Sequence, residues 1–176
     1  MLTDSDSMAT KPSRILTQSK PGAGITLWLG LSFLVVLFDQ LSKFAIAQGF
    51  REGELRRITS FFDLTLAYNR GAAFSFLAGE SGWQRYAFIA LGVVAVIFVL
   101  YQLKRNAGKT LFCWSLALIL GGAIGNLIDR VLAGKVVDFL LFHWENHGFP
   151  AFNLADSALT LGVILFILDE FRRVNK

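Results

Sequence analysis

The sequence predicts an all-α membrane protein, four transmembrane helices with a small extracytoplasmic β-hairpin or sheet, and three observations carry that expectation. Of 176 residues, 54% are hydrophobic and 17% charged, where ordinary globular domains carry about 25% charge. Four apolar segments have, or nearly have, the roughly 18–20 residues that cross about 30 Å of hydrocarbon. Basic residues gather between alternate segments, as the positive-inside rule asks of cytoplasmic loops. The composition also excludes much. A mean hydropathy of +0.53 is far too high for a disordered chain. Cys113 is the only cysteine, so there is no disulfide framework. With only His143 and His147 beside it, a structural zinc site lacks ligands. The pI of about 9.5 could suggest nucleic acid. A net charge of +4 on so apolar a chain suits a membrane surface better.

Residues 1–24, rich in Ser, Thr, Lys, Pro and Gly, read as a disordered cytoplasmic tail. The first apolar segment, 25–47, is long enough to span but contains Asp39 and Lys43. Its rival reading is a signal peptide, with Lys11, Arg14 and Lys20 ahead and Ala45-Ile46-Ala47 as the cleavage site. The preceding tail is long for that role, and the Asp39–Lys43 interruption suits an h-region poorly; both favour a retained helix. Residues 48–84 form the one substantial loop. Within it two β-prone runs, Phe61–Tyr68 and Ala72–Leu77, flank the turn signal Asn69-Arg70-Gly71, so a hairpin or small sheet is expected. Residues 86–103 and 110–128 carry no charge and read directly as spans. The fourth, 151–168, follows Pro150, which suits a helix start, and includes Asp156. One domain, 25–172, thus lies between the tail and a second short cytoplasmic tail, 173–176.

Four spans put both termini on one side. Lys11, Arg14, Lys20, Lys104, Arg105, Lys109, Arg172, Arg173 and Lys176 then lie together, nine of the 17 basic residues, which makes that side cytoplasmic. Trp28, Trp83, Trp114 and Trp144 each fall near a span end, where indoles serve as interfacial anchors or as packing.

A charge at the bilayer centre costs about 2.5–3.5 kcal/mol on insertion scales, so the acids inside apolar segments need a reason. Asp39 and Lys43 share a helix face at i, i+4. Two readings fit them: a neutralising pair with Lys43 snorkelling outward, or the support of a site at that depth. The third span ends Gly121-Gly122-Ala123-Ile124-Gly125-Asn126-Leu127-Ile128-Asp129-Arg130. Gly121 and Gly125 make a small-xxx-small face, and Asn126, Asp129 and Arg130 form one polar stripe. The stripe is either an end-of-helix ion pair or, with Asn126 a turn deeper, a buried network, which is favoured. Asp138 stands between Val136-Val137 and Phe139-Leu140-Leu141-Phe142, unlike a surface aspartate. Asn153 and Asp156 share a face at the start of the fourth span.

Asp138 and Asp156 thus arrive at the outer membrane edge from adjoining segments. If they meet, like charges in low dielectric make them share a proton, and the titration belongs to the pair. That is the chemistry of a water-activating aspartyl peptidase, one carboxylate acting as general base and the other as acid. Other machinery is missing. Ser42 and Lys43 are adjacent and face apart. No His-Glu-x-x-His, Gly-rich phosphate loop or Gly-x-Ser-x-Gly occurs. The same polar residues could instead serve a small proton- or ion-coupled transporter, although a transport site belongs near the midplane. In an assembly subunit that packs through Gly121 and Gly125, the polar stripe would be dispensable.

Five ordered blocks carry a resemblance. They are Asp39-Gln40-Leu41-Ser42-Lys43, Tyr68-Asn69-Arg70-Gly71-Ala72-Ala73-Phe74-Ser75, the Gly121–Arg130 run, Val136-Val137-Asp138-Phe139, and Phe152-Asn153-Leu154-Ala155-Asp156. Over roughly 25–172 the sequence resembles the bacterial lipoprotein signal peptidase (signal peptidase II) family. It departs from the family at Arg70, where many members have Thr, and in its longer tail. The resemblance implies an aspartic endopeptidase of the bacterial cytoplasmic membrane. Its substrates would be prolipoproteins, cut on the amino side of a diacylglyceryl-modified cysteine. By motif it implies Asp138 and Asp156 as the catalytic dyad, with Asn126, Asp129, Arg130 and Asn153 orienting dyad and substrate. Asp39 and Lys43 match a structural pair and Asn69 a loop residue near the site. The family's sheet and interfacial helix match residues 48–84. No metal or organic cofactor is implied. The partners implied are the prolipoprotein and membrane lipids, with no nucleic acid, and the chain is expected to be a monomer.

Overall fold

In hydrocarbon a backbone must satisfy its own hydrogen bonds, and the long apolar runs of this chain do so as helices. The computed structural model describes residues 24–71, 83–144 and 147–175. Along them run α1 (Ile25–Gly49), β1 (Leu55–Arg57), β2 (Phe62–Asn69), α2 (Trp83–Arg105), α3 (Thr110–Leu132), β3 (Val136–Trp144), β4 (His147–Gly148) and α4 (Leu154–Val174). The tail before Gly24 and the expected β-run Ala72–Leu77 lie outside the described residues.

Three helices, α1, α2 and α3, are long and apolar enough to cross a membrane. The expectation of four spans meets a difference at α4. Asp156 near its start and Asp169, Glu170, Arg172 and Arg173 near its end leave only residues 157–168 uncharged. Its start also differs: Pro150 lies outside the helix, and Asn153 is the N-cap. The helix α3 runs on to Leu132, so Asp129 and Arg130 are still helical.

The bundle is built around α3, which packs on α1, α2 and α4. Two glycines permit the closest approach. A Cβ on Gly121 would lie 2.6 Å from Val35 Cβ and 2.8 Å from the Ser32 carbonyl oxygen; on Gly125 it would lie 2.5 Å from Asp39 Oδ2. The small-xxx-small face is therefore the α3–α1 seam. Where α1 and α3 begin and α2 ends, Trp28, Val99, Leu103, Phe112, Cys113, Leu116, Ala117 and Leu120 form the apolar core. Trp28 is a core residue. Its Nε1 donates to the Ala107 carbonyl (3.2 Å) and its ring meets Trp114 edge-on at 5.9 Å. Trp83, Trp114 and Trp144 are exposed.

The other end of the bundle carries an antiparallel sheet of order β1-β2-β3-β4. The expected strand within 61–68 forms as β2, between β1 and β3. The sequence marked only Asp138 within β3, although Val136 and Phe139 are buried there. A run apolar on both sides of its one acid reads ambiguously until its partner is known. In the β2–β3 register Leu64 faces Leu140 and Ala67 faces Asp138, so β2 holds one extra residue between them, a bulge that re-aims the end of the strand. Asn69, two residues past Ala67, then lies on the Asp138 side of the sheet. Just before α4, Phe152 is stitched to β3: its N–H donates to the Leu140 carbonyl (3.0 Å), and its carbonyl accepts from Phe139 and Leu140. That stitch sets Asn153 beside Asp138.

The seam gives the first test. Gly121→Ala forces a methyl against the Ser32 backbone and is expected to cost about 1–3 kcal/mol of stability. Gly30, whose added Cβ would meet nothing within 4 Å, is the control, and Gly30→Ala should be neutral or mildly stabilising. Thermal unfolding of both variants in detergent checks the contrast; equal midpoints would refute the close seam.

Candidate active site

The site begins with a buried cation. Lys43 Nζ lies 2.8 Å from Asp39 Oδ2, 2.8 Å from Asp129 Oδ2 and 3.0 Å from Asn126 Oδ1. Lys43 is 3% exposed and Asp39 0%, so the snorkelling alternative is overturned. Asp129 pairs with Lys43, and no ion pair joins Asp129 to Arg130 among the described residues. The buried-network reading of the third span holds.

Each acid also accepts from a backbone N–H of a neighbouring element. Asp39 Oδ1 accepts from Ala155 N (2.9 Å), in the first turn of α4, and Asp129 Oδ2 accepts from Val137 N (3.3 Å), on β3. These N–H groups belong to the residues next to Asp156 and Asp138. Gln40 closes the cluster, donating from Nε2 to Asp129 Oδ1 (2.9 Å) and to the Gly125 carbonyl (3.2 Å).

Two asparagines join this base to the two remaining acids, and donors that cannot accept fix their orientation. Lys43 faces Asn126 Oδ1, so Asn126 Nδ2 points away and donates to Asp156 Oδ1 (2.7 Å). Asn153, fully buried, accepts from Asp156 N through Oδ1 (2.9 Å), while Asp156 Oδ2 accepts from Asn153 N (3.3 Å), a reciprocal capping box. The Asn153 amide nitrogen is thereby turned onto Asp138 Oδ1 at 2.7 Å. It also reaches Asn126 Oδ1 and the Val137 carbonyl at 3.2 Å. The Asn69 side chain hydrogen-bonds Asp138 from the sheet.

Asp138 is 3% exposed. Burial, reinforced by the negative charge of Asp156, pushes its carboxyl up to about 6, against the opposing hydrogen bonds of Asn69 and Asn153 and the charge of Lys43. Asp156 is half-buried. The sequence-marked residues Asp39, Lys43, Asn69, Asn126, Asp129, Asp138, Asn153 and Asp156 thus fall into one network at one end of the bundle. Arg130 sits at its edge. Its Nη1 donates to the Asn126 carbonyl (3.3 Å), and its guanidinium lies over the Phe88 ring at 5.4 Å. Among the described residues no group of His, Cys, Asp and Glu could hold a metal ion.

Three contributors escaped the sequence reading: Gln40, Arg85 and Phe88. Arg85 of α2 donates to the carbonyls of Arg130 (3.1 Å) and Val131 (2.6 Å), the open C-terminal end of α3. The available signal was a basic residue in the first turn of an otherwise apolar helix. For Asn153 and Asp156 the signal was the cap-and-acid spacing of a capping box, read as a shared face.

Apolar helices of spanning length and four aspartates held in one hydrogen-bonded network define a class, a membrane-embedded protein whose site is built on carboxylates. The chain belongs to the signal peptidase II family: the family model described as Signal peptidase (SPase) II matches residues 31–172. It is 59% identical to the lipoprotein signal peptidase of Janthinobacterium sp. (strain Marseille) over 149 residues, 85% of this chain and 90% of the relative. To that of Paraburkholderia phytofirmans it is 56% identical, over 89% and 91% of the two chains. A solved structure described as a bacterial membrane enzyme, at 2.3 Å resolution, superposes with a TM-score of 0.79 at 32% identity, covering 89% of this chain and 94% of that one.

The network makes two measurements informative. Lys43→Met leaves Asp39 and Asp129 buried without their cation and should cost about 3–5 kcal/mol, read as a fall in unfolding midpoint. The raised Asp138 carboxyl has the opposite sign from an ordinary paired acid. Its contribution to stability is full below pH 4, where it is protonated in folded and unfolded chains alike, and is lost as pH rises through about 6. Asp138→Asn should therefore be more stable than the parent at pH 8, with the gap closing toward pH 4; a gap independent of pH would show that the carboxyl is unperturbed.

Proposed function

We propose that this chain is an aspartic endopeptidase that removes signal peptides from prolipoproteins, on the amino side of a diacylglyceryl-modified cysteine, with Asp138 and Asp156 as the catalytic pair. The observation that carries the assignment of residues is the Asn153 bridge, which ties both acids into one hydrogen-bonded unit. Asp138, the more buried acid with the raised carboxyl, holds the shared proton, and Asp156 is the base. Asp156 takes a proton from water as its oxygen attacks the scissile carbonyl, while Asp138 protonates the carbonyl oxygen. The tetrahedral diol then collapses. Asp156 gives its proton to the departing α-amino group of the cysteine, and Asp138 recovers one from the diol, which restores the pair. Asn126, Asn153 and Asn69 orient the acids, Asp39, Lys43 and Asp129 fix the elements that bear them, and Arg130 flanks the substrate. No metal or cofactor takes part.

In this reading α4 is the fourth span, with Asp156 at its outer end, and 25–172 is one peptidase domain. Both termini face the cytoplasm of the bacterial inner membrane, and the enzyme works as a monomer beside the lipid. The basic residues at the start of the chain, in the α2–α3 turn and after α4 support that topology. A network at one end of the helices, opposite the apolar core, fits a substrate whose cleavage site lies at the interface. It does not fit the midplane site of a transporter.

Cleavage of a diacylglyceryl-modified prolipoprotein is expected to be abolished by Asp138→Asn and by Asp156→Asn, with folding retained. Full activity of either purified variant would remove the pair from the mechanism. Unlipidated substrate should be cut poorly, and equal rates on both forms would remove lipid recognition. The kcat/KM of the parent should decline as pH climbs past about 6, and Asn69→Ala, which deletes a bond favouring ionised Asp138, should move that decline to higher pH.

A further inference from the structure

Phe88 lies on α2, and two parts of the site touch its ring. Gly71 closes the turn after β2, with φ +99°, and sits so tightly on the ring that a Cβ would lie 2.5 Å from Phe88 Cε2. Its N–H donates to Asn69 Oδ1 at 2.8 Å, so the turn against the ring also orients the Asn69 amide. The same ring carries the Arg130 guanidinium at 5.4 Å. One turn away on either side, Arg85 caps the end of α3, and Gly92 lets Leu127 approach to 3.2 Å of where a Cβ would be. This face of α2 is thus already held against α3, and the ring is a fixed seat.

We infer that Phe88 is a positioning residue of the peptidase site: its ring seats the Asn69-Arg70-Gly71 turn and the Arg130 guanidinium together, and so holds the Asn69 amide against Asp138. The inference rests on the assignment of Asp138 to the catalytic pair. An aromatic ring suits both contacts. Its flat edge admits the bare Cα of Gly71, and its face attracts a guanidinium. An aliphatic side chain of similar bulk would fill the space without the second interaction. The charged groups that act on Asp138 are Asp156 from α4, Lys43 from α1 and Arg130 from α3; Phe88 touches only the last. Its removal therefore reaches Asp138 through a loosened Asn69, the Arg130 guanidinium serving to steady the ring that seats the turn.

The test uses the full-length enzyme in detergent with a synthetic diacylglyceryl prolipoprotein substrate. Phe88→Ala should lower kcat by about tenfold to a hundredfold, the scale of a small misplacement of reacting groups. It should also move the alkaline decline of the pH profile upward in the same direction as Asn69→Ala. The double variant should be no worse than the poorer single variant, because both break one contact chain. Phe88→Tyr, which keeps the ring, should restore activity that Phe88→Leu does not. Parent-like rate and pH profile in Phe88→Ala, multiplying effects in the double variant, or equal rates in Phe88→Leu and Phe88→Tyr would each overturn the assignment. If Phe88→Ala fails to fold, the Leu and Tyr pair decides alone. Failure of the underlying mechanism is separate and visible: Asp138→Asn would then remain active in the same assay.

Discussion

An ammonium between two carboxylates, all three withdrawn from water, is the contact on which both halves of the site depend. Lys43 lies 2.8 Å from Asp39 and 2.8 Å from Asp129. Removing Lys43 would leave two carboxylates without their cation in a place where such charge is strongly unfavourable. Two acids on one base still leave a formal negative charge, and it is spread over donors of other kinds. Asp39 takes the amide of Ala155, Asp129 the amide of Val137, and Gln40 donates to both acids. The residues contributing those backbone amides immediately precede Asp156 and Asp138. The ion cluster therefore fixes two distant pieces of chain by the same device, a carboxylate that grips the backbone one residue before the acid of interest.

The asymmetry of the two acids arises from their surroundings. Asp156 opens a helix, where the first-turn amides and the dipole favour negative charge, and it stays half-buried. Asp138 lies on a strand, with no dipole to favour it, at 3% exposure. Asn153 serves both, as cap for one and as donor to the other. Because its oxygen is committed to an N–H, its nitrogen has no choice of direction. In the proposed mechanism this difference in surroundings divides the roles, with Asp138 as acid and Asp156 as base.

The sequence was most legible where physics acts locally. Length and the absence of charge located α2 and α3, and the misfit of Asp39, Lys43, Asp138 and Asp156 with their apolar surroundings picked out residues that the fold brings together. What it hid was pairing at a distance. Nothing near Val136–Phe142 says that β2 lies alongside, so β3 was missed while its acid was found. Phe61–Tyr68 reads as a strand, and within the described residues it lies between β1 and β3, neither of which its own sequence names. Arg85 and Phe88 were invisible for a related reason, since their partners lie on α3 and in a turn before α2. The fourth helix was legible as an apolar run at 151–168, but its charged ends keep it apart from the three helices apolar enough to cross a membrane, and it packs on α3 as closely as the seam at Gly162 allows.

Small residues also decide where the charges can stand. Gly125 leaves room for Asp39 Oδ2 only because it has no Cβ, and Ala155 beside it is fully buried. A larger residue at either place would push α1 or α4 away from α3, and the carboxylate of Asp39 would lose the amide of Ala155 before any charge was altered. The apolar end of the bundle works against such a shift, since Trp28, Leu103 and Leu120 leave α1, α2 and α3 little freedom to rotate. Rigidity at the core end and small residues in the seam are therefore what let a cluster of buried charges keep its geometry. The polar network specifies the site, and the packing that touches none of it holds the helices at the spacing those hydrogen bonds require.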